Sequence, residues 1–350
     1  MFRNVSILET FLILLINTSI MHGEVIKMKK ILSIISIVIF SVLLVSCGQK
    51  DNKITKENIS ATLICPDGLP AIAISNLISD ESNDEEITIN CSIEKTTDTL
   101  LSELMKGESD LAIVPSNLAL QAYKKDLGYK IAGTIGWGSL YLVSTEEVDS
   151  LLDLEGCEIY NTGKGLTPDI VFKDILQNNN VNENNITFSY VGAASELAPL
   201  VMSGQAKYAV LPEPVLSTVM AKNENIKIIC NLNDEWKKVH DVENGYPQST
   251  LLIKEEFYNT IKDSGLYDEI INKFIESEDW AINNPELAAE QCEKLDITVN
   301  KDVIDKSMKN SNLAFTKIEN CEQEYETYFS IIDENNKGEN GGYDAIFIKK

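Results

Sequence analysis

Apolar positions in this chain follow two periods. Short apolar runs of four to six residues read as strands buried on both faces, and between them lie segments with an apolar residue every three or four positions, which read as amphipathic helices. One such unit is repeated. Residues 105–117, Met-Lys-Gly-Glu-Ser-Asp-Leu-Ala-Ile-Val-Pro-Ser-Asn, match residues 202–214, Met-Ser-Gly-Gln-Ala-Lys-Tyr-Ala-Val-Leu-Pro-Glu-Pro, at Met105/Met202, Gly107/Gly204, Ala112/Ala209 and Pro115/Pro212. In each copy a helix ends at a glycine, the usual left-handed stop, and a buried strand then ends at a proline. Further strands are predicted at 60–65, 87–93, 139–143, 157–161, 186–191, 226–230 and 249–253. Helices are predicted at 71–78, 97–105, 170–177 and 215–221, with one running from 194 to Gly204. A series of amphipathic helices, 254–264, 267–282, 285–294, 302–309 and 322–332, closes the chain. The polar stretch 231–248, which holds Trp236 and His240, and the segment 336–342 read as loops. This alternation predicts an α/β protein with two similar lobes.

The first fifty residues follow a different rule. Lys29 and Lys30 precede an apolar run, 31–45, that ends Leu44, Val45, Ser46, Cys47. The run is shorter than the ~20 residues a helix needs to cross a bilayer, and a small residue stands before the cysteine. The segment therefore reads as a signal peptide, 1–46, with a lipoprotein-type cleavage box and Cys47 as the lipidation site. Met28 is the expected start, so that 1–27 would not be translated, and residues 47–57 form a polar tether.

Composition narrows the chemistry. The 350 residues carry 30 basic and 54 acidic side chains, and 44% are apolar, as in a globular protein. From Cys47 onward 26 basic and 52 acidic residues remain, with no arginine and only His240 among histidines. A net charge of this sign opposes nucleic acid and anionic lipid, so membrane attachment is assigned to the lipid. A multi-histidine metal site is excluded, and neither metal nor cofactor is expected. Cysteines 65, 91, 157, 230, 292 and 321 show no Cys-x-x-Cys spacing, and their disulfide state stays open.

Candidate ligand groups gather where predicted strands hand over to helices, the edge at which open α/β sheets bind ligands. They are Asp67, Gly68 and Leu69, with Asp67 as a helix cap; Ser116 and Asn117; Ser195; and Glu213 with Pro214. Trp137 and Gly138 lie in a glycine-rich stretch with Gly133 and Gly136, which fits either the close approach of a ligand or a core tryptophan among turn glycines. Gly163, Lys164, Gly165, Leu166 and Thr167 suggest a phosphate loop. That reading fails, because Glu158 stands where the first glycine belongs and Gly165 where the magnesium-binding hydroxyl belongs. What remains is a polar cradle at a helix N-terminus, with Thr167 as cap and Pro168 in the first turn.

The motifs at 107–117, 153–168 and 202–214, and the element order over about 58–333, resemble solute-binding lipoproteins of ABC importers, in the nitrate/sulfonate/taurine and thiamine-precursor group. The resemblance implies the type II periplasmic-binding fold, with a central ligand cleft and hinge crossovers. Lobe 1 would comprise 58–145 and 246–350, lobe 2 would comprise 146–240, and 241–245 would be the returning hinge. It also implies that the candidate residues line the cleft of a monomer that passes a small polar solute to a permease and its ATPase. Lys164 is the one cation among them and Glu213 opposes an anion, so small oxyanions and neutral or cationic heterocycles both remain open. An enzyme on the same fold acting on a small heterocycle, and an extracellular sensor, are the alternatives. No paired nucleophile and base supports the first, and no signalling domain supports the second.

Overall fold

The computed structural model describes residues 59–79, 87–333 and 342–349. The leader, the tether with Cys47, the acidic loop 80–86 and most of the 336–342 loop lie outside these residues.

Eleven strands occur among the described residues: β1 (Ile59–Pro66), β2 (Ile87–Glu94), β3 (Leu111–Pro115), β4 (Tyr129–Trp137), β5 (Leu140–Ser144), β6 (Glu158–Thr162), β7 (Thr187–Val191), β8 (Tyr208–Pro212), β9 (Lys227–Asn231), β10 (Pro247–Lys254) and β11 (Leu313–Lys317). They form two sheets, one per lobe, in the orders β11-β4-β10-β3-β1-β2 and β7-β6-β8-β5-β9. In each sheet three strands are parallel, and the strand that enters from the other lobe is inserted antiparallel to its neighbours. β10 enters between β3 and β4, and β5 between β8 and β9. The repeated motif supplies β3 and β8, which hold equivalent places beside those inserted strands. Both glycine stops take the left-handed conformation, Gly107 at φ 67° and Gly204 at φ 76°.

Both sheets are covered on two faces, which explains their continuous apolar runs. Along β5, Tyr141 and Val143 pack with Leu197, Val201, Leu216 and Val219 on one face, while Leu142 joins Ile159, Phe172, Ile175 and Trp236 on the other. The period of two shows directly in that split.

Four expectations need correction. The chain leaves the first lobe at Gly138 and Ser139, not after residue 145, and strand 140–144 belongs to the second sheet. Residues 232–240 form a helix (Leu232–His240), capped by the Asn231 side chain on Asn233 N at 2.9 Å and anchored by fully buried Leu232 and Trp236. Leu232, Trp236 and Val239 fall at helical spacing, a signal that the polar majority of that stretch obscures. β11 is an additional edge strand that touches the core through only two large apolar side chains, Leu313 and Phe315, the latter against Phe274. It also accounts for part of the glycine cluster, since a Cβ on Gly133 would lie 2.6 Å from the Thr316 carbonyl. Lastly, the helix after β1 is only five residues long, Leu69–Ala73, and Gly68, not Asp67, is its cap residue.

The long helix Leu266–Asn283 buries Glu278 at 2% exposure, and among the described residues neither carboxylate oxygen has a hydrogen bond of normal geometry. Burial, then repulsion from Asp279, pushes this carboxyl well above its ordinary value. A raised folded-state value means that the folded protein binds the extra proton, so this term is harmless below the unfolded carboxylate pKa of about 4.3 and destabilises as pH rises toward the folded value. Glu278→Gln should therefore melt close to the unmodified chain near pH 4 and increasingly above it toward pH 8. Melting temperatures across that range check this; a constant difference would mean that Glu278 titrates normally.

Candidate functional site

The strand ends carry their polar groups into several distinct environments. After β1, Asp67 accepts hydrogen bonds from Thr298 N (2.8 Å) and Thr298 Oγ1 (2.6 Å) and pairs with Lys95 at 3.4 Å. Partial burial opposes its charge, but the Thr298 bonds, Lys95 and the Gly68 N–H together hold the carboxyl below its ordinary value. Asp67 is thus a tie between β1 and the segment near Thr298. Gly68, at φ 102°, and Leu69 open the short helix beyond it.

After β3 the two candidates separate. Ser116 is buried, with its hydroxyl 2.7 Å from Thr250 Oγ1, and that oxygen is 2.8 Å from the Tyr325 hydroxyl, which accepts from Thr134 at 2.7 Å. This closed chain of hydroxyls satisfies Ser116 inside the first lobe. Asn117, one residue on, is half-buried and faces a cavity.

After β6, Gly163 and Gly165 both take positive φ, 60° and 73°. Lys164 turns over the Tyr190 ring, 5.6 Å from its centroid, a geometry that favours a cation on an aromatic face. The helix Thr167–Asn178 starts with Leu166 as cap residue and no side-chain cap. Thr167 is therefore not the cap that its sequence position suggested. Its hydroxyl lies 2.7 Å from the hydroxyl of Tyr328 on the Glu322–Ile332 helix, which joins the two lobes. Asp169 accepts from Gly165 N at 2.8 Å and from Tyr190 at 2.6 Å, and so holds the loop shut.

After β8, Glu213 is buried. It accepts from Ser217 Oγ (2.8 Å), Ser217 N (3.3 Å) and Asn310 Nδ2 (3.0 Å). Burial raises its pKa, and the Ser217 and Asn310 bonds offset this in part. Glu213 and neighbouring Pro214 thus stand where the second lobe meets the Ile304–Asn310 helix. Asn310 is also the acceptor for the Tyr141 hydroxyl, at 2.6 Å to its carbonyl. Ser195 is exposed in the first turn of the Ala194–Met202 helix.

The hinge has its own geometry. Gly138 donates its N–H to the Tyr246 carbonyl at 3.0 Å, and the Asn312 side chain donates to the Gly138 carbonyl. The Tyr246 ring covers Gly138 so closely that a Cβ there would lie 2.2 Å from it. Trp137 donates its indole N–H to the Ala314 carbonyl at 3.2 Å and is nearly buried. It borders a separate open cavity of about 400 Å³ with Asn233, Asn244 and Asn312.

Four of the sequence candidates meet. Asn117 from the first lobe and Gly165, Leu166 and Thr167 from the second line one cavity of about 250 Å³, together with Gln121, Lys124 and Asp333. Its apolar wall is Leu120, Leu166, Ile170 and Ile332. Asp67, Gly68, Leu69, Ser116, Trp137, Gly138, Gly163, Lys164, Ser195, Glu213 and Pro214 are not part of its wall. Gln121 and Asp333 escaped the sequence reading. Gln121 stands one helical turn after Asn117, a spacing that could have found it; Asp333 ends a distant helix and carried no such signal. Among the described residues no group of three or more His, Cys, Asp or Glu could hold a metal ion, and no helix is long and apolar enough to cross a membrane.

Two sheets joined by two crossings, with a cavity lined from both lobes, define the two-lobed periplasmic-binding-protein fold. No protein-family model matches the chain, and no curated protein is significantly similar to it. Solved structures are. An ABC transporter protein from Parabacteroides distasonis superposes with a TM-score of 0.67 at 20% identity, over 83% of this chain and 99% of that one. The periplasmic aliphatic sulphonate binding protein SsuA from Escherichia coli gives 0.61 at 12%, over 79% and 87%. The periplasmic nitrate-binding protein NrtA from Synechocystis gives 0.52 at 12%, over 75% and 74%.

Proposed function

We propose that this protein is the solute-binding component of an ABC uptake system, held to the membrane by a lipid on Cys47. It captures a small polar solute between its lobes and delivers it to a permease. The observation that carries this reading is the interlobe cavity, to which Asn117 comes from one sheet and Gly165, Leu166 and Thr167 from the other. Solved structures of the same fold include proteins named for binding sulphonate and nitrate, which supports the class of function. Closure around a solute follows from the two crossings, since a rotation at Gly138 and near Tyr246 moves one sheet against the other without disturbing either. Catalysis is not part of the reading; the polar groups around the cavity are amides, one hydroxyl and a neutralised ion pair.

Thermal-shift screening of small polar compounds tests it. A solute at a hundredfold excess over its Kd adds about 2.7 kcal/mol to the folded state, a shift of several degrees for a chain of this size. A solute-free protein that responds to no small polar compound, or one that turns such a compound over, would refute it.

A further inference from the structure

The interlobe cavity is lined by two side-chain amides that the fold does not use, Asn117 half-buried in its wall and Gln121 exposed at its rim. Asn117 and Gln121 are four residues apart on the Ser116–Lys124 helix, so their side chains stack along one face, and both line the cavity. Neither amide has a hydrogen-bond partner among the described residues, although almost every other polar group near the site does. Ser116 is tied to Thr250, Thr167 to Tyr328 and Gly165 N to Asp169.

The charges at the cavity cancel. Lys124 Nζ lies 2.6 Å from Asp333 Oδ1, and the Asp333 side chain is 1% exposed. Asp333 Oδ2 also accepts from the Tyr343 hydroxyl at 3.2 Å, so this carboxylate is fixed in place. An oxyanion brought to Lys124 would meet Asp333 directly behind it, and a cation brought to Asp333 would meet Lys124. Lys164 faces Tyr190 and is not part of the cavity wall, and the chain from Cys47 onward contains no arginine.

We propose that this cavity selects an uncharged solute carrying adjacent N–H and C=O groups, such as a lactam or ring imide, read by the side-chain amides of Asn117 and Gln121. The inference rests on the solute-binding reading and names its substrate class. Each carboxamide offers a carbonyl acceptor and an N–H donor side by side, the complement of such an edge. The body of the solute then packs against Leu120, Leu166, Ile170 and Ile332. At about 250 Å³ the cavity suits a single small ring system.

The test is capture from a mixture. The full chain is incubated with a small-molecule extract, separated by gel filtration and denatured, and the released compound is identified by mass spectrometry. The proposal expects an uncharged compound with an amide-type edge. It also expects Asn117→Leu and Gln121→Leu each to weaken binding of that compound at least tenfold by calorimetry, with melting temperatures unchanged. Release of a sulfonate, nitrate, free amine or sugar would overturn the substrate class and leave the solute-binding reading standing. Release of nothing would overturn both, and full affinity in both variants would overturn the roles of Asn117 and Gln121.

Discussion

Tyr328→Ala should be among the most damaging single substitutions in the chain, costing about 3–5 kcal/mol by the usual scale for removing a buried aromatic ring. The ring is 1% exposed and lies among Trp236, Tyr246 and Phe329, with centroids 6.3, 6.3 and 5.9 Å away. Trp236 belongs to the second lobe, Tyr246 to the segment that leads into β10, and Tyr328 to a helix packed on the first sheet, so one side chain joins all three. Its hydroxyl adds the 2.7 Å contact with Thr167 at the cavity wall. Tyr328→Phe separates the two roles: it keeps the packing, gives up about 1 kcal/mol for the hydrogen bond, and loosens the cavity without unfolding it. Denaturant unfolding of both variants measures this. A loss below about 1 kcal/mol for the alanine variant would mean that the aromatic cluster does not hold the lobes together.

Gly138→Ala is the second large effect. The new Cβ would sit 2.2 and 2.3 Å from two ring carbons of Tyr246 and 2.6 Å from its hydroxyl oxygen. That ring is wedged between Trp236, 5.6 Å away, and Tyr328, so it has little freedom to retreat. Overpacking of this kind costs about 1–3 kcal/mol, and here the strain falls on the hinge itself. Solute affinity should drop together with stability. Combining Gly138→Ala with Tyr246→Leu should recover part of the loss, because the two sites are in direct contact and are not additive. Strict additivity in the double variant would show that the clash is relieved elsewhere.

Much of the architecture was legible because buried strands carry an unbroken apolar signature and helix ends carry glycine. The pair Gly107/Gly204 with Pro115/Pro212 identified β3 and β8, and the sheets place them equivalently. The point of crossing was not legible. A strand at 139–143 is readable from the sequence, but nothing local says that it pairs in the second sheet while Tyr129–Trp137 pairs in the first. Among the site candidates, strand-end position identified the right region but could not give side-chain direction. Ser116 and Asn117 are adjacent, yet one turns to Thr250 and the other to the cavity. Asp67 and Glu213 looked like ligand groups because they are acidic at strand ends. Their partners, Thr298 and Asn310, are 231 and 97 residues away, and no local pattern announces such a pairing. Trp137 resolves in the same way: its glycine neighbours accommodate β11 and Tyr246.

The measurement that bears most directly on the account is native mass spectrometry of the folded chain beside a variant whose cavity is filled. Leu166 is 54% exposed on the cavity wall, so Leu166→Trp should occupy the space at little cost to folding. After exposure to a small-molecule extract, the unmodified chain should carry one small molecule per protein, and Leu166→Trp should carry none at the same melting temperature. An empty unmodified chain, or a filled variant that still carries the molecule, would contradict a solute site between these lobes.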